Sequence, residues 1–184
     1  MSEKEQLNTA ACRAFSSAEL SDDARQLFER DTTPETYLAS LSKTGLFPDA
    51  VRFLACLLGP RRSVLWASGC IRALDGDRER SPEQTAALDS VDRWLEEGSD
   101  GNRRAARKAA ERANLKTPEG CVAMAAFLSE GSIAPSHIES VPVPPLAAEK
   151  MAAGAIMIAV VKDPRKAGER FERCLSLAMK DVNE

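Results

Sequence analysis

Histidine is nearly absent from this chain: His137 is the only one in 184 residues. A zinc centre or a histidine-centred catalytic group needs more than that. The five cysteines, Cys12, Cys56, Cys70, Cys121 and Cys174, are scattered and never spaced as CxxC. They read as reduced, mostly buried thiols of a cytoplasmic protein. Aromatic residues are scarce, at 5%, while alanine is abundant. That balance suits close-packed helices better than a sheet, which favours β-branched and aromatic side chains. The opening MSEKEQLNTAACRAF holds no apolar run of signal-peptide length. Strong positive charge is missing too. A net charge of −3 and a pI near 5.4 argue against nucleic-acid binding by bulk attraction. No P-loop, GxGxxG, G-x-S-x-G or HExxH is found. His137, in the loop-like Ala-Pro-Ser-His-Ile, has no distinctive partner for base catalysis beside Ser136. The sequence nominates no catalytic residue, metal ligand or cofactor.

What is present is helical punctuation. Four capping residues are followed directly by proline: Thr33-Pro34, Ser81-Pro82, Thr117-Pro118 and Asp163-Pro164. Proline at the first helical position loses nothing, because that amide has no partner inside the helix. The preceding hydroxyl or carboxylate accepts a bond from an amide one turn in. Ser81 and Gln84 also fit a capping box. Apolar spacing between these starts is helical. Ala50, Phe53, Leu54, Leu57 and Leu58 recur at i, i+3, i+4, i+7 and i+8. Gly45, Gly59, Gly76, Gly98 and Gly131 sit where helices should stop. The spacing predicts an all-α, compact bundle of about eight to ten helices. Residues 1–32 form an N-terminal helical segment, docked or mobile, and 33–184 a single all-helical domain.

The most apolar stretch, Met151 to Val161, lies between Glu149-Lys150 and Lys162-Asp163. A membrane span needs about 20 apolar residues, so this run is too short to cross. A helix apolar on every side belongs in a core, and 146–161 is expected to be the central helix around which the others pack. The prolines of Val141-Pro142-Val143-Pro144-Pro145 hold the preceding segment extended, either as a rigid connection into that helix, the plainer reading, or as a proline-rich ligand for a partner.

Two basic clusters stand out. Arg103, Arg104, Arg107, Lys108 and Arg112 lie on one alanine-rich helix, with Arg104, Lys108 and Arg112 in one stripe. The plain reading lays the alanine face on the core and leaves the cations in water; the functional one makes them a docking surface for an acidic protein. Arg61 and Arg62 open another helix, where the dipole disfavours positive charge, so they are expected to face a carboxylate, either of the acidic N-terminal part or of a protein partner they bind. Arg72 invites a similar internal pair. Trp66 and Trp94 are most simply core residues.

Several segments carry a resemblance: Ala50-Val51-Arg52-Phe53-Leu54-Ala55, Arg62-Ser63-Val64-Leu65-Trp66-Ala67, Asn102-Arg103-Arg104-Ala105-Ala106, Phe127-Leu128-Ser129-Glu130-Gly131-Ser132-Ile133-Ala134-Pro135 and Gly154-Ala155-Ile156-Met157-Ile158-Ala159. From residue 35 onward the chain resembles an uncharacterised family of small all-helical bacterial proteins, some linked to type VI secretion gene clusters. Members of that family carry no assigned activity; the compact helical body, the missing catalytic motifs, the basic clusters and the resemblance together lead to the expectation of a non-enzymatic adaptor or co-chaperone whose protein partner is a secretion effector, a spike-tip protein or a chaperone. The resemblance supplies no site residues. An immunity protein that inhibits a toxin, or an enzyme with an unfamiliar site, are the alternatives. Neither nucleic acid nor membrane is an expected partner.

Overall fold

The computed structural model describes residues 3–29, 32–76, 78–135 and 137–182. Among them the chain runs through α1 (Glu3–Ser17), α2 (Asp22–Gln26), α3 (Pro34–Lys43), α4 (Phe47–Asp75), α5 (Pro82–Glu96), α6 (Asp100–Ala113), α7 (Pro118–Phe127), α8 (Ala147–Val161) and α9 (Ala167–Val182). The fold is all-α. Its β-like pairing among the described residues is a single bridge between Ser132 and Pro142.

Three of the four cap-proline pairs start α-helices as expected. Thr33 Oγ1 accepts from the Thr36 amide at 3.3 Å and Thr117 Oγ1 from the Gly120 amide at 3.1 Å. Ser81 completes the capping box: its hydroxyl accepts from the Gln84 amide, and Gln84 Oε1 accepts from the Ser81 amide at 3.1 Å. Each cap is worth about 1 kcal/mol. The fourth pair behaves differently. Asp163, at φ −129°, makes no side-chain cap, and Pro164–Lys166 is a 3₁₀ turn that only leads into α9. Ser21 and Ser99 cap α2 and α6 without a proline to announce them.

Gly59, at φ 73° and ψ 180°, breaks α4 into two helical halves with Pro60 opening the second. The left-handed φ is why glycine is needed there. Both halves are buried along their inner faces, through Ala50, Phe53 and Leu54 and then Val64, Ala67 and Ile71. α8 packs mainly on α4 and α7. Trp66 Nε1 donates to the Cys174 carbonyl at 2.7 Å, tying α4 to α9, and the Phe47 and Phe171 rings stack at 5.4 Å. Trp66 and Trp94 are both core residues.

α8 is buried along Ala148, Ala152, Ala155, Ile156, Ala159 and Val160. It is not covered all round, however. Met151, Gly154, Met157 and Ile158 are half-buried, and Val161 is 56% exposed. The neighbours cover two sides and leave one stripe beside α1. No described helix is long and apolar enough to cross a membrane.

The first segment packs on this body. Ala11, Ala14 and Ala18 are buried, and Phe15 stacks on Phe28 at 4.0 Å. Tyr37 meets Phe15, Phe28 and Phe53 edge-on. Its hydroxyl donates to the Ala24 carbonyl at 2.7 Å. Burial, and then the charge of Asp49, push this phenol up to about 12. Asp49 in turn accepts from the Ser21 amide and hydroxyl, at 2.8 and 3.0 Å.

Candidate functional site: a clamped loop and its arginines

The segment after α7 is a loop shaped by its own backbone. The Ile133 amide donates to the Val141 carbonyl at 2.9 Å, and the Val143 amide to the Gly131 carbonyl at 3.3 Å. Ser132 Oγ accepts from the Ala134 and Val141 amides, at 3.1 and 3.0 Å. Gly131, at φ 72°, makes the turn; a Cβ there would lie 3.2 Å from Arg103 Cζ.

Three arginines of α6 grip this loop. Arg103 is 1% exposed. Its Nη1 donates to the Phe127 carbonyl at 2.6 Å and its Nη2 to the Ser132 carbonyl at 2.9 Å. Its Nε and Nη2 also reach Asp100 Oδ1, at 2.9 and 2.5 Å. Arg104 bonds Asp100 Oδ2 at 2.7 Å and the Ala134 carbonyl at 2.9 Å. Arg107 bonds Glu111 at 2.9 Å and reaches the Ile133 carbonyl at 3.4 Å. The Arg103 and Arg107 guanidiniums lie 4.7 and 5.1 Å from the Phe127 ring centre. Hydrogen bonds from Arg104 and then Arg103 hold the Asp100 carboxyl below its usual range.

The basic helix is therefore divided. The donors of Arg103, expected at a docking surface, go to the Phe127 and Ser132 carbonyls and to Asp100. Arg104 and Arg107 are half-buried clamps. Lys108 and Arg112 continue the Arg104 stripe and are exposed. A signal for this was present: Arg103 falls in helical register with Ala106, Ala110 and Ala113, which are buried. What the arginines hold outward is the loop's own surface, where Ile138 is 56% and Val141 45% exposed. His137 is exposed on the same loop; Ser136 beside it lies outside the described residues.

Arg61 finds a different acceptor from the one expected. It donates to the Leu95 carbonyl near the end of α5, and its guanidinium lies 5.0 Å from the Trp94 ring centre. A carbonyl at a helix C-terminus carries partial negative charge, so it serves in place of a carboxylate. Arg62 is exposed on the same turn. Arg72 pairs with Asp92 at 2.6 Å, as anticipated.

Sequence reasoning missed one ionic group altogether. The side chains of Asp75 and Glu119 are 1% and 0% exposed. Arg80 lies 3.1 Å from Asp75 and 3.7 Å from Glu119, and Lys162 lies 3.4 and 3.9 Å from the same two acids. The four come from the end of α4, the following loop, the start of α7 and the turn after α8. Their separation in sequence hid them. The half-exposed Arg78 also lies 3.7 Å from Asp75, so two buried acids face three cations in an ionic lock between these elements.

These features define a small all-helical protein with an ordered, outward-facing loop. The chain belongs to a family of unknown function, DUF6931, whose model matches residues 37–180. No curated protein and no solved structure matches it.

Proposed function

We propose that this protein is a non-enzymatic helical adaptor or co-chaperone of the cytoplasm that docks a protein partner through the loop between α7 and α8. The observation that carries the reading is the clamp itself. Arg103, Arg104 and Arg107 hold in place a loop whose exposed residues include Ile138 and Val141. A loop held in one shape pays less ordering entropy on binding. Lys108 and Arg112, outward on the clamping helix, supply a basic rim suited to an acidic partner. The type VI secretion association of the family resembled makes a secretion effector or spike-tip protein the partner to look for.

The test is affinity capture from the native host with the wild-type chain and with an Ile138→Asp, Lys108→Glu, Arg112→Glu variant. All three positions are exposed, so the variant should melt as the wild type does. One protein captured stoichiometrically by the wild type and lost from the variant supports the reading. Equal capture by both moves the interface elsewhere, and no stoichiometric partner in either removes the adaptor model.

A further inference from the structure

Beside the half-open stripe of α8 lies a pocket of about 170 Å³, walled by the end of α1, the first half of α4 and α8. Cys56, Ala153, Gly154 and Met157 form its apolar lining. An apolar cavity of about 150 Å³ is enough to take benzene. Charges also line this pocket, and all but one are matched. Lys150 pairs with Glu19 at 2.6 Å, and Arg52 lies 3.5 Å from Asp49. The exception is Glu149, which is 7% exposed and has no hydrogen bond or ion pair among the described residues.

Glu149 stands in the first turn of α8, where the helix dipole favours negative charge. Yet it does not reach back to the N-terminal amide of its helix, the usual reason for a glutamate at this place. Its oxygens are not sealed in the core but open to the pocket, so they take their hydrogen bonds from whatever occupies it. The Cys56 thiol, which burial and then the charge of Glu149 push up to about 11, keeps its proton but makes no hydrogen bond to Glu149 among the described residues. The cations beside the pocket have acids of their own.

From this juxtaposition we infer that the pocket between α1, α4 and α8 binds a small organic ammonium ion, its apolar body against Met157 and Ala153 and its cationic head on Glu149. This site is separate from the loop after α7 and stands or falls independently of the docking reading.

Benzylamine, benzyl alcohol and benzoate are probes of one shape and three charges. Titration of the full chain with each, followed by calorimetry and by the methyl resonance of Met157, tests the inference. Benzylammonium should bind saturably and shift Met157, benzyl alcohol should bind at least about tenfold more weakly, and benzoate should not bind. Glu149→Gln, which keeps the side chain's shape, should cost benzylammonium about tenfold or more and bring it level with the alcohol. Gly154→Leu gives a second arm, because a Cβ there meets nothing within 4 Å and the longer side chain fills the pocket. It should abolish binding of the amine in a folded protein. Absence of saturable amine binding, equal affinity for amine and alcohol, or undiminished binding in either variant would overturn the inference.

Discussion

Single residues here do work that their chemical type does not announce. Asp100 is 59% exposed, yet it positions two arginines that both reach the loop after α7. Its carboxyl is held low, first by Arg104 and then by Arg103. A carboxyl depressed in the folded state binds fewer protons there than in the unfolded chain, so its contribution is complete above the ordinary aspartate value of about 3.9 and is lost as pH falls below it. Asp100→Asn has no such contribution to lose. Melting curves of wild type and Asp100→Asn should therefore be separated at neutral pH and converge as the solution is acidified below about 3.9. A gap that persists or widens in acid would show that Asp100 holds the clamp through something other than its charge. Gly120 shows the opposite kind of residue, set by space alone. A Cβ there would stand 2.3 Å from the Asn114 carbonyl oxygen, so the turn into α7 closes only around a glycine.

At the scale of the helix, α8 shows how far an apolar run can be read. Its length excluded a membrane span, and its small residues pack against α4 and α7. Ile156 is fully buried, and an aspartate there would bring a charge into the core with nothing to pair it. Ile156→Asp should cost more than about 4 kcal/mol, a large part of a stability of about 5–15 kcal/mol, and leave the chain insoluble or molten by circular dichroism and gel filtration. A soluble, cooperatively melting variant would mean that α8 is held less tightly than its burial requires. The half-exposed side of the same helix was not legible, because a run without polar residues carries no mark of which side its neighbours leave open. Helix starts at Thr33, Ser81 and Thr117 were legible because a cap is a contact between residues three apart. The same local cue overstated Asp163, whose backbone turns away before the contact forms. The basic character of α6 was visible in the sequence; its division into clamp and rim was not. That division depends on carbonyls of a loop more than twenty residues further along.

Across the whole molecule, distance between charges is a poor guide to what holds the helices together. Arg72 and Asp92 are only 2.6 Å apart, but both side chains are more than 40% exposed, and such pairs contribute about 0–1 kcal/mol. The Asp75, Glu119, Arg80 and Lys162 group is looser, at 3.1 to 3.9 Å, but its acids are out of water. Neither oxygen of Glu119 has a hydrogen-bond partner among the described residues. The group thus rests on charge attraction in a poorly screened interior, and removing one member should hurt more than removing a matched pair. Glu119→Met leaves three cations, Arg78, Arg80 and Lys162, facing Asp75 alone and should cost about 3 kcal/mol in urea unfolding. Asp92→Asn, breaking the shorter bridge, should cost under about 1 kcal/mol. Adding Lys162→Met to Glu119→Met returns the group to its original net charge, with Asp75 between Arg80 and the half-exposed Arg78, and should recover most of the loss. If the double variant is instead as unstable as the sum of its parts, the ends of α4, α7 and α8 are joined by packing around these side chains and not by their charge.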